Sequence, residues 1–342
     1  MNRILVMTFL GFLQAQCAMV QAADAMKPVP SHADISYGPS PYQLLDIYLP
    51  KESNGPFPVL IWFGGIWEPS KHVPDLNRFL PANIAVIGVQ TRTLNQGMKE
   101  KANPPVSYVM EDACRMVQFV RHHAAKWHLD PQRIALGGGS QGALPAVYVG
   151  CSNDRADANS KDPLDRVSTK VVCVAAYRSQ PSIDPKQMQE WVPGVKWGAP
   201  ALGCGFEESL KRRDELMPMI AKRSPDALLK KGSAPIYFEN NWGLTQPEKV
   251  TEMDYKVHSP AWSLGFQNLA KKAGVVCHVK YPDHPTEGYK DIWDFLVQSL
   301  NHPLESKPNQ MVRIKTPRIN PLANLHHRSL TLTHNYFFMT NA

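Results

Sequence analysis

Short apolar runs that alternate with helix-like stretches are the feature of this sequence that most restricts its fold. Residues 58–65 are continuously apolar and end at two glycines, as expected of a strand that is buried on both faces. Residues 83–90 and 133–139 repeat this form, and the apolar residues of the stretch 108–130 between them recur at helical spacing. This alternation predicts an α/β fold, with a mostly parallel central sheet and helices on both faces.

The same rhythm continues on both sides of this region. Further strand-like runs lie at residues 42–50, 170–176, 234–240 and 275–282, and a helix with good start and stop signals is predicted at 259–274. Residues 178–233 interrupt the rhythm with a proline-rich stretch and a polar helix pattern. We therefore predict one domain over residues 29–302, with a small cap-like insertion at 178–233.

The two ends of the chain differ from its body. Residues 1–22 contain one basic residue, a short apolar run and small residues at their end, which predicts a signal peptide and a secreted or periplasmic protein. The apolar run is too short to span a bilayer, so no membrane span is expected. Residues 303–342 lack a regular period and are predicted to form a peripheral basic tail.

The charge and the cysteines exclude several classes of function. Of the net charge of +7, residues 1–22 carry +1 and residues 303–342 carry +4, which leaves +2 for the body. A basic groove is therefore not expected there, and we predict no nucleic-acid partner. The cysteines after residue 22 include no CxxC pair, so we predict neither a metal nor a cofactor. Cys151 and Cys204 are candidates for a disulfide.

The segment GGSQG at residues 138–142 carries the clearest chemical signal. A tight turn from a strand to a helix needs small residues two positions before and two positions after a central serine, because larger side chains would collide with neighbouring backbone. Ser140 would then project at the edge of the sheet, beside the positive end of the following helix. The backbone N–H of Gln141 would point to the place where an oxyanion forms. The segment therefore predicts a serine nucleophile.

A serine of ordinary acidity needs a base, and the base needs an acid that orients it. In an α/β sheet both come from loops at the carboxyl ends of later strands. His284 follows the last strand-like run and is the predicted base. Asp254 precedes it in the chain and is the predicted acid, with Glu239 and Asp184 as alternatives.

The loop after the apolar run at 58–63 is expected to complete the oxyanion hole. Glycines there permit close approach of a substrate, and the N–H groups of Gly65 and Ile66 are the predicted donors. Trp67, His258 and Trp242 are predicted to line the substrate pocket. Aromatic walls of this kind suit aryl or sugar-linked acyl groups.

Taken together, these segments resemble the α/β-hydrolase superfamily, particularly its carboxylesterase and lipase-like branch, which is related to feruloyl-esterase-like and prolyl-oligopeptidase-type hydrolases. The resemblance is carried by residues 37–50, 58–67, 111–143 and 281–296. It implies the α/β-hydrolase fold and an exported hydrolase that cleaves small-molecule carboxylic esters through an acyl-enzyme. Ser140 matches the nucleophile of the family, His284 its base and Asp254 its acid.

The chain also departs from this family. Phe63 stands where many relatives have histidine, Thr91 precedes Arg92 where tyrosine is frequent, and the acid comes late after its strand. Two alternatives therefore stay open beside the esterase. One is a serine peptidase of the prolyl-oligopeptidase type, and the other is a non-catalytic binding protein that retains the fold.

Overall fold

A computed structural model describes residues 28–51, 55–196 and 199–302 of the chain. The predicted signal peptide at 1–22 and the predicted tail at 303–342 lie outside these residues. Within the part described, none of the helices has both the length and the apolar character that crossing a bilayer requires.

Eight strands form one sheet in the order β1-β2-β4-β3-β5-β6-β7-β8. The strands are β1 (His32–Ser36), β2 (Leu44–Tyr48), β3 (Phe57–Phe63), β4 (Ala85–Gln90), β5 (Leu129–Gly139), β6 (Val174–Tyr177), β7 (Ile236–Glu239) and β8 (Cys277–Lys280). β2 pairs antiparallel with β1 and with β4, and the remaining neighbours are parallel. The predicted α/β fold is confirmed, and β1 is an edge strand that the sequence patterns did not indicate.

Helices cover both faces of this sheet. They are α1 (Leu76–Phe79), α2 (Leu94–Lys99), α3 (Ser107–His122), α4 (Ala143–Cys151), α5 (Pro185–Trp191), α6 (Phe206–Lys211), α7 (Arg213–Arg223), α8 (Pro225–Leu228), α9 (Glu252–Val257), α10 (Ala261–Ala273) and α11 (Ile292–Asn301). In β3, Ile61 packs into the core cluster that holds α3, α4 and α10, whereas Trp62 packs against α1 and α11. Because successive side chains of a strand point to opposite faces, a continuously apolar strand contributes to both layers.

The segment predicted as a cap-like insertion, residues 178–233, connects β6 to β7 and contains α5 to α8. Ile183, Leu216 and Ile220 of this segment pack into the main core. Met188 and Phe206 form a smaller cluster with Trp262 of α10. The segment therefore packs closely on the sheet, and its description as a separate cap stays a prediction.

The register of the central strands decides which residues meet at the carboxyl edge of the sheet. Gly139 of β5 is paired with Tyr177 of β6, and Tyr177 with Glu239 of β7. The residues that follow these three, Ser140, Arg178 and Asn240, therefore emerge side by side. The candidate site lies at this edge.

The disulfide suggested by the sequence is not formed. Cys151 is buried and Cys204 is half-buried, and both are unpaired, as are the other cysteines in the described part of the chain. Burial raises the pKa of Cys151 well above its ordinary range, so this thiol stays protonated.

Candidate active site

Ser140 lies in the tight turn between β5 and α4. Its φ is +50°, in the left-handed region that non-glycine residues rarely adopt. A Cβ on Gly138 would lie 2.1 Å from the carbonyl oxygen of Gly142, and a Cβ on Gly142 would lie 2.5 Å from the carbonyl oxygen of Gly64. Glycine at both positions is therefore a steric requirement of the turn that presents the serine.

A histidine and an aspartate follow Ser140 in one hydrogen-bonded series. Ser140 Oγ lies 2.8 Å from His258 Nε2, and His258 Nδ1 lies 3.0 Å from Asp254 Oδ1. If Nδ1 carries the proton and donates it to the carboxylate, Nε2 is free to accept the serine hydroxyl proton. Ser140 and His258 are half-buried, whereas the Asp254 side chain is 52% exposed.

The histidine beside Ser140 is not the one that the sequence predicts as the base. His284 is exposed, pairs through its backbone with Tyr281 and stacks its ring on the Tyr281 ring at 4.6 Å. Within the described residues it makes no hydrogen bond to Ser140. The structure does not bring His284 to Ser140, because the chain turns back on itself directly after β8. His258, predicted only to line the pocket, contacts Ser140 directly.

Asp254 and His258 meet because both belong to one short helical segment. The Thr251 side chain accepts the Asp254 N–H and begins α9, and His258 caps the end of this helix. Residues four apart in a helix lie on the same face, so the carboxylate reaches the imidazole without a second loop. Both alternative acids act elsewhere: Glu239 accepts the Ile292 N–H, and Asp184 caps α5 and pairs with Arg213.

Buried side chains hold the end of α9 in place. Three successive backbone carbonyls there each accept a hydrogen bond from a side chain of another segment. The pairs are Trp262 Nε1 to Lys256 at 2.9 Å, Gln180 Nε2 to Val257 at 2.8 Å, and Asn240 Nδ2 to His258 at 2.6 Å. The three donor side chains are at most 5% exposed. Carbonyls at a helix end need such partners, and here these bonds fix the backbone that carries the imidazole.

The electrostatic surroundings keep the His258 imidazole neutral. Its pKa lies below the ordinary value of 6.5, first because burial disfavours the charged form and second because the Arg178 cation is near. The Asp254 carboxylate acts in the opposite direction without reversing the shift. A neutral imidazole is the form that accepts a proton.

The side chain of Gln141, in the turn after β5, is bonded to the loop after β3 from which oxyanion donors were predicted. The N–H groups of Ile66 and Trp67 both donate to Gln141 Oε1 at 3.1 Å, and the N–H of Gly65 donates to Ser70 Oγ at 2.8 Å. The predicted donors Gly65 and Ile66 are thus engaged within the protein. Two N–H groups nevertheless converge on one oxygen atom, which is the geometry that an oxyanion requires.

The predicted pocket aromatics differ in their surroundings. Trp242 is half-buried, lies edge-on to the His258 ring at a centroid distance of 5.9 Å, and carries the Arg178 guanidinium 3.7 Å from its own ring centroid. Trp67 is half-buried in the loop after β3.

The described residues contain no group of three or more histidine, cysteine, aspartate or glutamate side chains placed to hold a metal ion.

Sequence reasoning missed the contacts of His258 and the positions of Arg178, Gln180 and Asn240. The sequence does contain one local signal for the contacts of His258. Thr251 can cap a helix, and Asp254 and His258 follow it at a spacing that places both on one helix face. The other three become neighbours only through the strand register.

Comparison with known proteins agrees with this architecture. Residues 45–195 match the family model BD-FAE. An Arabidopsis thaliana protein named "Probable isoprenylcysteine alpha-carbonyl methylesterase ICMEL1" is 36% identical over 113 residues, which are 32% of this chain and 22% of that protein. The match thus spans about a fifth of the length of this curated relative.

Two solved structures share the fold. A truncated carbohydrate esterase from gut microbiota superposes with a TM-score of 0.58 at 20% identity, over 79% of this chain and 95% of that one. An acetyl ester-xyloside bifunctional hydrolase from Caldicellulosiruptor lactoaceticus gives 0.53 at 18% identity, over 74% and 86%. The strand order, the turn that carries Ser140 and these matches together show that the chain has the α/β-hydrolase fold.

Proposed function

We propose that this chain is a serine hydrolase that cleaves carboxylic esters through an acyl-enzyme intermediate. The observation that carries the proposal is the series of hydrogen bonds from Ser140 Oγ to His258 Nε2 and from His258 Nδ1 to Asp254 Oδ1. Ser140 is the nucleophile, His258 the general base and acid, and Asp254 the group that orients the imidazole. The names of the similar proteins, a probable methylesterase, a carbohydrate esterase and an acetyl ester-xyloside bifunctional hydrolase, agree with ester cleavage.

The chemistry follows from these roles. Ser140 Oγ bonds to the ester carbonyl carbon while its proton moves to His258 Nε2. The tetrahedral intermediate collapses, the ester C–O bond breaks, and the departing alcohol takes that proton. Water then attacks the acyl-enzyme and gives a proton to His258, which returns it to Ser140 as the carboxylic acid leaves.

The developing oxyanion needs N–H donors beside Ser140. We assign this role to the N–H of Gln141 and to the loop after β3, where the N–H groups of Ile66 and Trp67 converge on Gln141 Oε1. A substrate oxygen that displaces this amide would meet both donors. The bond from Gly65 N–H to Ser70 Oγ holds the loop in shape.

A second candidate is a non-catalytic binding protein, and the occupied donors of Ile66 and Trp67 are the observation that favours it. Such a protein would bind its ligand at this edge of the sheet without turnover.

Export is part of the first proposal and rests on residues 1–22. It predicts that the protein recovered from outside the cytoplasm lacks these residues, as mass spectrometry would detect.

The test of ester hydrolysis compares two histidine variants. Wild type should be labelled by a fluorophosphonate probe and should hydrolyse p-nitrophenyl acetate, whereas Ser140→Ala and His258→Ala should each lose activity by about a thousandfold or more. His284→Ala is the matched control and should retain wild-type activity, because this exposed ring makes no hydrogen bond to Ser140 within the described residues.

Three outcomes would contradict the proposal. Absence of labelling and turnover in the wild type would favour a binding protein. Undiminished turnover in Ser140→Ala would remove the nucleophile, and loss of activity in His284→Ala with retention in His258→Ala would reverse the assignment of the base.

A further inference from the structure

Arg178 stands beside Ser140 at the carboxyl edge of the sheet. It directly follows Tyr177, which pairs with Gly139 of the neighbouring strand, and Ser140 directly follows Gly139. Adjacent strands are about 5 Å apart, so the two residues leave the sheet as close neighbours. Arg178 also shares the left-handed backbone of Ser140, with φ of +50°. This conformation is unfavourable for a residue with a Cβ and indicates that the surrounding structure imposes it.

The guanidinium of Arg178 lacks the partners that arginine usually has. It lies over the Trp242 ring, and within the described residues its Nε is buried without a hydrogen-bond partner and its charge forms no salt bridge. Every other arginine in the described ranges pairs through its guanidinium with a carboxylate, a backbone carbonyl or a hydroxyl. A half-buried cation without a counter-charge is unfavourable, and a bound anion would relieve it.

The two residues after Arg178 continue this pattern. Ser179 Oγ and Gln180 Oε1 are also buried and find no hydrogen-bond partner among the described residues. Buried polar atoms are nearly always hydrogen-bonded, so three in succession next to a nucleophile are unusual. Gln180 is held by its amide N–H groups to the carbonyls of Arg178 and Val257, which ties this segment to the backbone beside His258.

The Asp254 carboxylate forms no salt bridge with Arg178. Asp254 is bonded to the far nitrogen of His258, and the guanidinium lies against the Trp242 ring, which also contacts the imidazole edge-on. Arginine binds carboxylates through two parallel N–H···O bonds, which gives both affinity and orientation. A carboxylate bound here would lie within one small molecule's length of Ser140.

We propose that Arg178 binds a carboxylate carried by the ester substrate, and that the enzyme therefore prefers anionic esters to neutral ones. The inference rests on the proposed ester hydrolysis at Ser140 and goes beyond it by naming the substrate class. The carboxylate belongs either to the acyl part or to the alcohol part of the ester, and the two cases call for different probes.

The experiment uses two pairs of esters in which each pair has the same scissile bond. For the acyl side, the p-nitrophenyl monoester of adipic acid is compared with the same ester after methylation of its free carboxyl. For the alcohol side, 4-acetoxybenzoate is compared with methyl 4-acetoxybenzoate. kcat/KM is measured for all four at about pH 8 and constant ionic strength, where the imidazole is neutral in every variant.

In the wild type, we expect the anionic ester to be favoured by about tenfold or more in at least one pair. Arg178→Gln should abolish this preference, and fluorophosphonate labelling together with a wild-type circular dichroism spectrum shows that the variant folds. Arg178→Lys keeps the positive charge but loses the guanidinium that can donate two parallel N–H···O bonds, so it should retain part of the preference. Lys231→Gln removes one charge from an exposed position before β7, at the opposite edge of the sheet, and should behave as wild type.

The outcomes separate this inference from the proposed function. Turnover of neutral esters with no anionic preference in either pair, or a preference that survives in Arg178→Gln, overturns the role of Arg178 and leaves ester hydrolysis standing. An equal loss of preference in Lys231→Gln would assign the effect to overall charge and overturn it too. Absence of turnover with all four esters and of fluorophosphonate labelling overturns both proposals.

Discussion

At the scale of single residues, the surroundings of His258 shift the pKa of its imidazole in opposite directions. Burial and the Arg178 cation disfavour its protonated form, and Asp254 at 3.0 Å favours it. The balance lowers its pKa from the ordinary value of 6.5. An imidazole with a lowered pKa is mainly unprotonated at neutral pH, so it can accept the hydrogen bond of the Ser140 hydroxyl there.

The pH dependence of hydrolysis should report this balance. We expect kcat/KM for a neutral ester to rise with pH along an acid limb whose apparent pKa lies below 6.5. Arg178→Gln removes a cation that opposes protonation, so its acid limb should move to higher pH. Asp254→Asn removes the anion that favours protonation, so its limb should move to lower pH while the rate falls by about a hundredfold or more. Profiles between about pH 5 and 9 provide the measurement, and limbs that moved in the reverse directions would contradict the charge balance described here.

At the scale of elements, the turn between β5 and α4 shows how backbone sterics present a side chain. Gly138 and Gly142 are in contact with backbone atoms that leave no space for a Cβ, whereas a Cβ on Gly139 would have no atom within 4 Å. Gly139 also has an ordinary extended φ of −109°. These three glycines therefore differ in whether the surrounding structure leaves space for a Cβ atom.

Alanine substitutions should separate these glycines. Gly138→Ala brings a methyl group to 2.1 Å from a backbone oxygen, so the turn must shift. We expect a loss of about 2 kcal/mol or more in the free energy of unfolding and slower fluorophosphonate labelling. Gly139→Ala serves as the control and should change stability by less than about 1 kcal/mol. Urea unfolding of both variants checks this, and similar losses in the two would argue against the steric account.

The short helix α9 illustrates the limit of sequence reading for elements. Its Thr251 cap and the spacing of Asp254 and His258 are local features that the sequence contains. The three bonds that hold its end come from Gln180, Asn240 and Trp262, which follow β6, follow β7 and lie in α10. No local pattern indicates that these side chains converge, so the orientation of the imidazole could not be predicted.

At the scale of the whole molecule, Asp112 joins three separate parts of one side of the fold. The carboxylate of this α3 residue accepts from Gln43 before β2 and from both the backbone and the guanidinium of Arg92 after β4. It is 1% exposed. Burial raises the pKa of Asp112 more than Arg92 lowers it. The carboxylate therefore contributes to the stability of the fold as much through the hydrogen bonds that link these segments as through its charge interaction with Arg92.

Removal of this carboxylate should destabilise the whole domain. In Asp112→Ala the buried partners lose their acceptor, and we expect a decrease of about 3 kcal/mol in the free energy of unfolding. Asp162→Ala removes one carboxylate from an exposed ion pair with Arg115, which keeps Asp165 as a partner, and should lower this free energy much less. Chemical unfolding followed by tryptophan fluorescence measures both. Equal stability of the two variants would contradict the role of Asp112.

Three features of this chain depend only on neighbouring residues: the order of apolar runs, the glycines around Ser140 and the cap of α9. From features of this kind, the sequence by itself determined the fold class and the turn that presents the serine. Which histidine reaches Ser140 was decided only by the tertiary structure, because 118 residues separate Ser140 from His258. The same holds for Arg178 and Asn240, which stand beside the site through pairing of β5, β6 and β7. Periodicity and turn sterics act over a few residues, whereas approach between distant loops depends on strand register and on how each loop packs.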